Sequence, residues 1–232
     1  MMYYWRESSF NGLRELADQL QSEPDLEMYV SYLRLREQGL RKQSLRSLSQ
    51  FISKAIAWDF ERRRDFVDRV CLFHHQRQAF SDVIPHPLKQ DLILPTLIEW
   101  AKREPTNPVP LRWQGDDIEN LRRAVALDSK EMIAREMLAE QLLTSVDYSI
   151  HELPNGYGYI GDPAEDMRLL DEIATLADQL PRQIGRVIAE EAGELRAVVM
   201  EYLEYLSAGS GENFRDWMWS QNRPVLHRWY RV

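Results

Sequence analysis

Cysteine is nearly absent from this chain, since Cys71 is the only one in 232 residues. An internal disulfide and a cysteine-rich metal site are therefore excluded. Cys71 stands in the apolar stretch FVDRVCLF, which favours a buried, inert thiol over a nucleophile.

Long apolar runs are missing as well. No run approaches the roughly 18 residues that a membrane-spanning helix requires. The first ten residues, MMYYWRESSF, contain no basic region followed by an apolar stretch, which a signal peptide would have. We therefore expect a cytoplasmic protein that does not enter the membrane.

Signatures of catalytic and metal-binding sites are also scarce. The adjacent histidines His74 and His75 would point about 100° apart on a helix, and no histidine has the i, i+4 spacing of H-E-x-x-H. No serine stands in a G-x-S-x-G nucleophile elbow. We expect no catalytic residue, no metal ion and no cofactor.

One stretch does spell a binding motif, because residues 156–161 read GYGYIG, the G-x-G-x-x-G of dinucleotide loops. Such a loop follows a β-strand, whereas the residues before this one have helical periodicity. The residues after it, Asp162-Pro163-Ala164-Glu165, form a typical helix start with a cap, a proline and an acid. We interpret the stretch as a turn whose glycines adopt positive φ, so that Gly158→Ala would lower stability.

Helix signals recur along nearly the whole chain. Apolar residues at i, i+3, i+4 and i+7 spacing start at Leu26 and end before Gly39, and the pattern then repeats over residues 40–58. A further helix over residues 87–105 is expected to kink or restart at Pro95. Alternating β-branched strands with hairpin turns are absent. The sequence predicts an all-α protein, an irregular array of antiparallel helical hairpins with no significant sheet.

The domain organisation follows from composition. Residues 104–117 hold three closely spaced prolines and are expected to be irregular. We predict a helical lobe over residues 1–103, a proline-rich connection over 104–117, a second lobe over 118–208 and an aromatic tail over 209–232. One continuous domain is the alternative.

Part of the second lobe has the pattern of small and apolar residues that lets two helices approach closely in a hairpin. In residues 121–143 this pattern consists of Ala124, Leu127, Asp128, Ala134, Leu138, Ala139 and Leu142. The stretch resembles the junction between two tetratricopeptide repeats, and residues 29–52 resemble it more weakly. Ser129 stands where that family usually has proline, and Arg135 stands where it has a bulky residue. The resemblance implies an α-solenoid that binds proteins without catalysis.

Charge is unevenly distributed. The net charge is +2 over residues 1–115, −12 over residues 116–208 and +2 over residues 209–232. Such an acidic centre repels phosphate backbones, so we expect no nucleic-acid binding and favour a basic partner. A well-solvated helical surface is the alternative explanation.

The candidate contact residues come from three stretches: the glycine-rich turn, the acidic side of the last long helix and the aromatic tail. On that helix an apolar stripe from Ile184 to Leu206 is expected to face the core, with the glutamates off it. The tail is interpreted as a cap on the array, with an anchor for a partner as the alternative. The predicted partner-binding residues are Tyr157, Tyr159, Glu190, Glu191, Glu194, Trp217, Trp219 and Trp229.

These observations lead to an expected function with two alternatives. We expect a non-enzymatic module that binds another protein, of basic charge, through its helical surfaces. One alternative is an immunity or antitoxin protein that neutralises a basic toxin such as a nuclease. The other is an enzyme with a site around residues 151–162, built from His151, Glu152 and Asp162.

Overall fold

The computed structural model describes residues 8–77, 83–115 and 117–223, and it confirms the all-α class. No residue within these ranges lies in a β-strand. The α-helices are α1 Ser8–Leu20, α2 Glu27–Glu37, α3 Arg41–Ala55, α4 Phe60–Arg77, α5 His86–Leu88, α6 Leu94–Arg103, α7 Val109–Arg112, α8 Ile118–Leu127, α9 Met132–Ile150, α10 Pro163–Asp178, α11 Arg182–Ala208 and α12 Phe214–Ser220. Short 3-10 turns lie at Pro24–Leu26 and Leu153–Asn155. None of the helices in these ranges is long and apolar enough to span a membrane.

The chain divides into two compact units, residues 1–114 and 115–232. In the first unit α1 packs on α2, α2 on α3 and α4 on α6. An aromatic cluster forms the centre of its core, where the ring centroid of Tyr29 lies 5.2 Å from that of Phe51 and 5.3 Å from that of Phe66. The buried hydroxyl of Tyr29 donates a hydrogen bond to the carbonyl of Val83 at 2.7 Å. That bond satisfies the one polar atom that the ring brings into the core.

Pro95 does not end its helix. Residues Lys89–Ile93 form a π-helical turn between α5 and α6, and Pro95 stands in the first turn of α6. Proline has no N–H to give to the carbonyl four residues before it, and a wider turn accommodates that missing bond. At the position where we expected a kink or a restart, the helix therefore changes from a π-helical turn to an α-helix.

The proline-rich segment is more regular than we predicted. The short helix α7 occupies Val109–Arg112 with proline in its first turn, where the missing N–H is tolerated. After it, the indole N–H of Trp113 donates to a carboxylate oxygen of Asp68 at 2.7 Å. This hydrogen bond and the burial of Leu111 hold the segment against the first unit.

The second unit consists of consecutive helical hairpins, as the array prediction requires. Helix α8 packs on α9, α9 on α10, and α10 on α11, while α9 also contacts α11. Ala124, Ala134 and Ala139, three of the small residues in the hairpin pattern, are fully buried between the helices of this unit. Leu127 belongs to the same pattern but is 41% exposed. Arg135 is buried and donates to the carbonyl of Ser129 at 2.8 Å.

Helix α11 follows its predicted stripe only in part. Ile188, Leu195 and Val199 are buried, but Leu206 is 52% exposed. Helix α10 has 16 residues and α11 has 27, so the last turns of α11 extend past the helix that covers its apolar side. The apolar spacing along α11 cannot predict how many of its turns α10 covers.

Candidate functional site

The glycine-rich turn connects two helices and follows no strand. Helix α9 ends at Ile150, the 3-10 turn follows, and α10 begins at Pro163. The predicted helix start is confirmed, because Asp162 is the N-cap residue and its carboxylate accepts a hydrogen bond from the Ala164 N–H at 2.9 Å. The turn thus lacks the strand on which a dinucleotide loop depends.

The three glycines of the turn have different environments, which corrects the expectation that all of them adopt positive φ. Only Gly156 does, with a φ of +82°. Gly161 is required for a different reason: a Cβ there would overlap Oγ of Ser149 and lie 2.9 Å from Cβ of Ser149. Gly158 has ordinary φ and open space around it, so the effect predicted for Gly158→Ala is wrong.

The stabilities of the variants Gly161→Ala and Gly158→Ala test this difference between the two glycines. We expect Gly161→Ala to lower the free energy of unfolding by about 1–3 kcal/mol, because Ser149 is buried and has little room to move. Gly158→Ala should stay within about 0.5 kcal/mol of the wild type. Urea denaturation of the two variants measures the difference, and equal losses would contradict this account of the turn.

The residues proposed for an enzymatic site have structural contacts of their own. A ring nitrogen of His151 lies 2.6 Å from the carbonyl of Tyr148, and its Nε2 lies 3.2 Å from the Glu152 carboxylate. Asp162 caps α10. Over the described ranges, the structure contains no group of three or more histidine, cysteine or acidic side chains placed to hold a metal ion.

The two tyrosines of the turn lie in different environments. Tyr157 is 68% exposed. Tyr159 is partly buried, and its hydroxyl donates to Asp166 of α10 at 2.6 Å. Its ring packs in a tilted arrangement on Tyr202 of α11, with the ring centroids 4.8 Å apart. Burial first, and then the Asp166 carboxylate, raise the pKa of Tyr159 far above its ordinary value. Tyr159 therefore connects the turn to α10 and α11, and Tyr157 is the one that presents its ring to solvent.

The aromatic tail is divided in the same way. Phe214, Trp217 and Met218 of α12 are buried in the core of the second unit, as a cap would be. Trp219 is 72% exposed and available to a partner. Trp229 lies outside the described residues. Trp217 thus has a core position, where truncation would affect folding as well as any contact.

The three predicted glutamates of α11 lie on the surface, and the fold places two further acids beside them. Glu190, Glu191 and Glu194 are exposed. Glu136 and Glu140 are one turn apart on α9, which packs against α11. We call these five residues the acidic seam. Burial, and then the charges of Glu136 and Glu191, raise the pKa of Glu140. The electrostatic part of that shift comes from a carboxylate on its own helix, Glu136, and one on α11, Glu191.

The two helices of the seam carry few basic residues of their own. Helix α9 has no lysine or arginine after Arg135, which is buried, and α11 has only Arg196 after Arg186. Arg186 Nε lies 3.6 Å from Glu190, and Arg196 is bound to Asp171 on α10. The i, i+4 spacing of Glu136 and Glu140 was a usable sequence signal, but their proximity to α11 depends on which helices pack together.

Arg223 follows α12 in the chain and contacts the last turns of α11. Its guanidinium donates to both carboxylate oxygens of Glu204, at 2.6 Å and 3.4 Å. Burial raises the pKa of the nearby Glu201, and the positive charge of Arg223 partly offsets that rise. The last described residue of the chain is therefore held in an ion pair with α11.

Comparisons with known proteins do not assign the chain to a family. No protein-family model, curated protein or solved structure matches this sequence.

Proposed function

We propose that this chain is a non-enzymatic protein-interaction module whose acidic second unit binds a basic protein. The segregation of charge carries the proposal. Residues 1–114 have a net charge of +2, and residues 115–232 have a net charge of −10. The packing of α9 on α11 concentrates part of this charge in the acidic seam, where burial first, and then repulsion from Glu136 and Glu191, raise the pKa of Glu140.

That repulsion makes a purely solvating role for the seam less favourable. Like charges one turn apart destabilise a helix by about 0.2–0.5 kcal/mol, so solubility would be served better by acids spread over the surface. The positive charges of a basic partner offset the repulsion between these carboxylates, and this relief favours binding. Opposite charge also speeds association by about 10–10³-fold and fixes the orientation of the complex.

We propose tetratricopeptide-like hairpins in the second unit and a cytoplasmic location. The acidic seam would also suit an immunity or antitoxin protein directed at a basic toxin such as a nuclease, and this version requires the same salt-dependent association.

The test begins by identifying the partner through affinity purification from the native cell and mass spectrometry. We then expect the association rate to fall at least tenfold when salt is raised from about 0.05 M to about 0.5 M, because charges more than a Debye length apart are screened. Dissociation should change less. An acidic partner, or an association rate indifferent to salt, would refute the proposal.

A matched pair of charge reversals locates the surface. The triple variant E190K/E191K/E194K should slow association by about tenfold or more. The control E165K/D171K/D178K alters net charge equally, on exposed positions of α10, and should slow it clearly less. Equal effects of the two would show that only net charge matters.

A further inference from the structure

The segment that follows Arg223 has the composition that the seam attracts. Residues 224–232 read PVLHRWYRV, with Arg228, Arg231 and His227 and no acidic side chain. Arginine pairs with carboxylates through two N–H groups and also stacks on aromatic rings, so a short basic and aromatic segment binds an acidic helix well.

The structure shows where this segment starts. Arg223, the residue before it, is bound bidentately to Glu204. Its positive charge also partly offsets the rise that burial causes in the pKa of Glu201. Glu201 lies on the same side of α11 as Glu190 and Glu194, since residues 4, 7 and 11 apart share a helix face. The first basic contact between this end of the chain and the acidic side of α11 is therefore already present.

The distances allow the remaining contacts. From Glu201 back to Glu190 is eleven residues, or about 16 Å along a helix. Nine residues of extended chain span about 30 Å. The segment is long enough to reach Glu190, Glu191 and Glu194 from its starting point.

We propose that the acidic seam is the docking surface for the chain's own residues 224–232, which compete there with a basic partner. A segment tethered this closely acts at an effective concentration of the order of millimolar, so a weak contact is enough to occupy the surface. The competition rests on the proposed function, whereas the contact between segment and seam does not require a partner.

The contact is tested with a fluorescent peptide of residues 222–232 added to three full-length chains. R228E/R231E, whose own segment is repelled, should bind the peptide. Wild type should bind it about tenfold more weakly, because a millimolar tethered competitor reduces an affinity of about 0.1 mM by that factor. R228E/R231E combined with E190K/E191K/E194K should lose the binding. A peptide with glutamate in place of both arginines is the control, and a chain ending at Arg223 should behave like R228E/R231E.

Several results would overturn the proposal. These are a peptide that binds none of the chains, a peptide that binds wild type and R228E/R231E equally, and binding that survives the glutamate reversals. A wild-type dimer that becomes monomeric as R228E/R231E would assign the seam to the segment of a second copy and would overturn the intramolecular contact. If the peptide results hold but the partner proves acidic, the proposed function fails and the contact stands.

Discussion

Gly185→Ala is expected to lower the free energy of unfolding by about 1–3 kcal/mol, and by more if the two helices cannot separate. Gly185 lies in the first turn of α11, where a Cβ would overlap the carbonyl oxygen of Ala177 on α10 and lie 3.2 Å from its carbonyl carbon. Both obstacles are backbone atoms, so no side-chain rotation relieves the overlap. The hairpin between α10 and α11 must open instead.

The same helix supplies the control. Gly193 is exposed, and a Cβ there meets nothing within 4 Å. Because alanine is the better helix former by about 0.8–1.0 kcal/mol, Gly193→Ala should raise the free energy of unfolding. Urea denaturation should therefore give shifts of opposite sign for the two variants. A stabilising Gly185→Ala would show that α10 and α11 are not packed this closely.

Tyr159→Phe is expected to cost about 1–3 kcal/mol, which is the penalty of leaving a buried polar group without its hydrogen bond. Asp166 is only 4% exposed, and the Tyr159 hydroxyl is the donor that the described side chains give its carboxylate. The phenylalanine ring keeps the tilted contact with Tyr202, so the loss isolates the hydrogen bond from the packing.

Tyr157→Phe is the matched control, two residues away in the same turn. Its ring is 68% exposed, and we expect a change within about 0.5 kcal/mol. A double variant, Tyr159→Phe with Asp166→Asn, should recover part of the loss, because an uncharged side chain is less costly to bury. Equal stabilities of the two single variants would show that the Tyr159 hydroxyl does not stabilise the turn.

These stability variants also serve the functional proposals. Tyr157 and the acidic seam can be altered without touching a core contact, whereas Tyr159 and Trp217 cannot, since both contribute to packing in the second unit. Loss of a partner in a Trp217 variant would therefore be ambiguous. Loss of a partner in a Trp219 variant, at unchanged stability, would identify a contact.

The sequence by itself determined the features that depend on neighbouring residues. Apolar spacing of three and four residues fixed the all-α class, because a helix with one apolar side has to bury that side. Asp162 and Pro163 determined the start of α10, since the cap acts on the N–H groups of the next turn. The segregation of charge is likewise a property of the sequence alone.

Only the tertiary structure decided the features that depend on residues distant in the chain. It made Gly161 and Gly185 necessary through Ser149 and Ala177, and it left Gly158 free of such constraint. It buried Trp217 in the core of the second unit, and it left Leu206 exposed because α11 is longer than the α10 that packs beside it. The packing of α9 on α11 brought the charge of Glu191 to Glu140. Close approach between helices is set by the whole packed unit, so the periodicity of one helix cannot specify it.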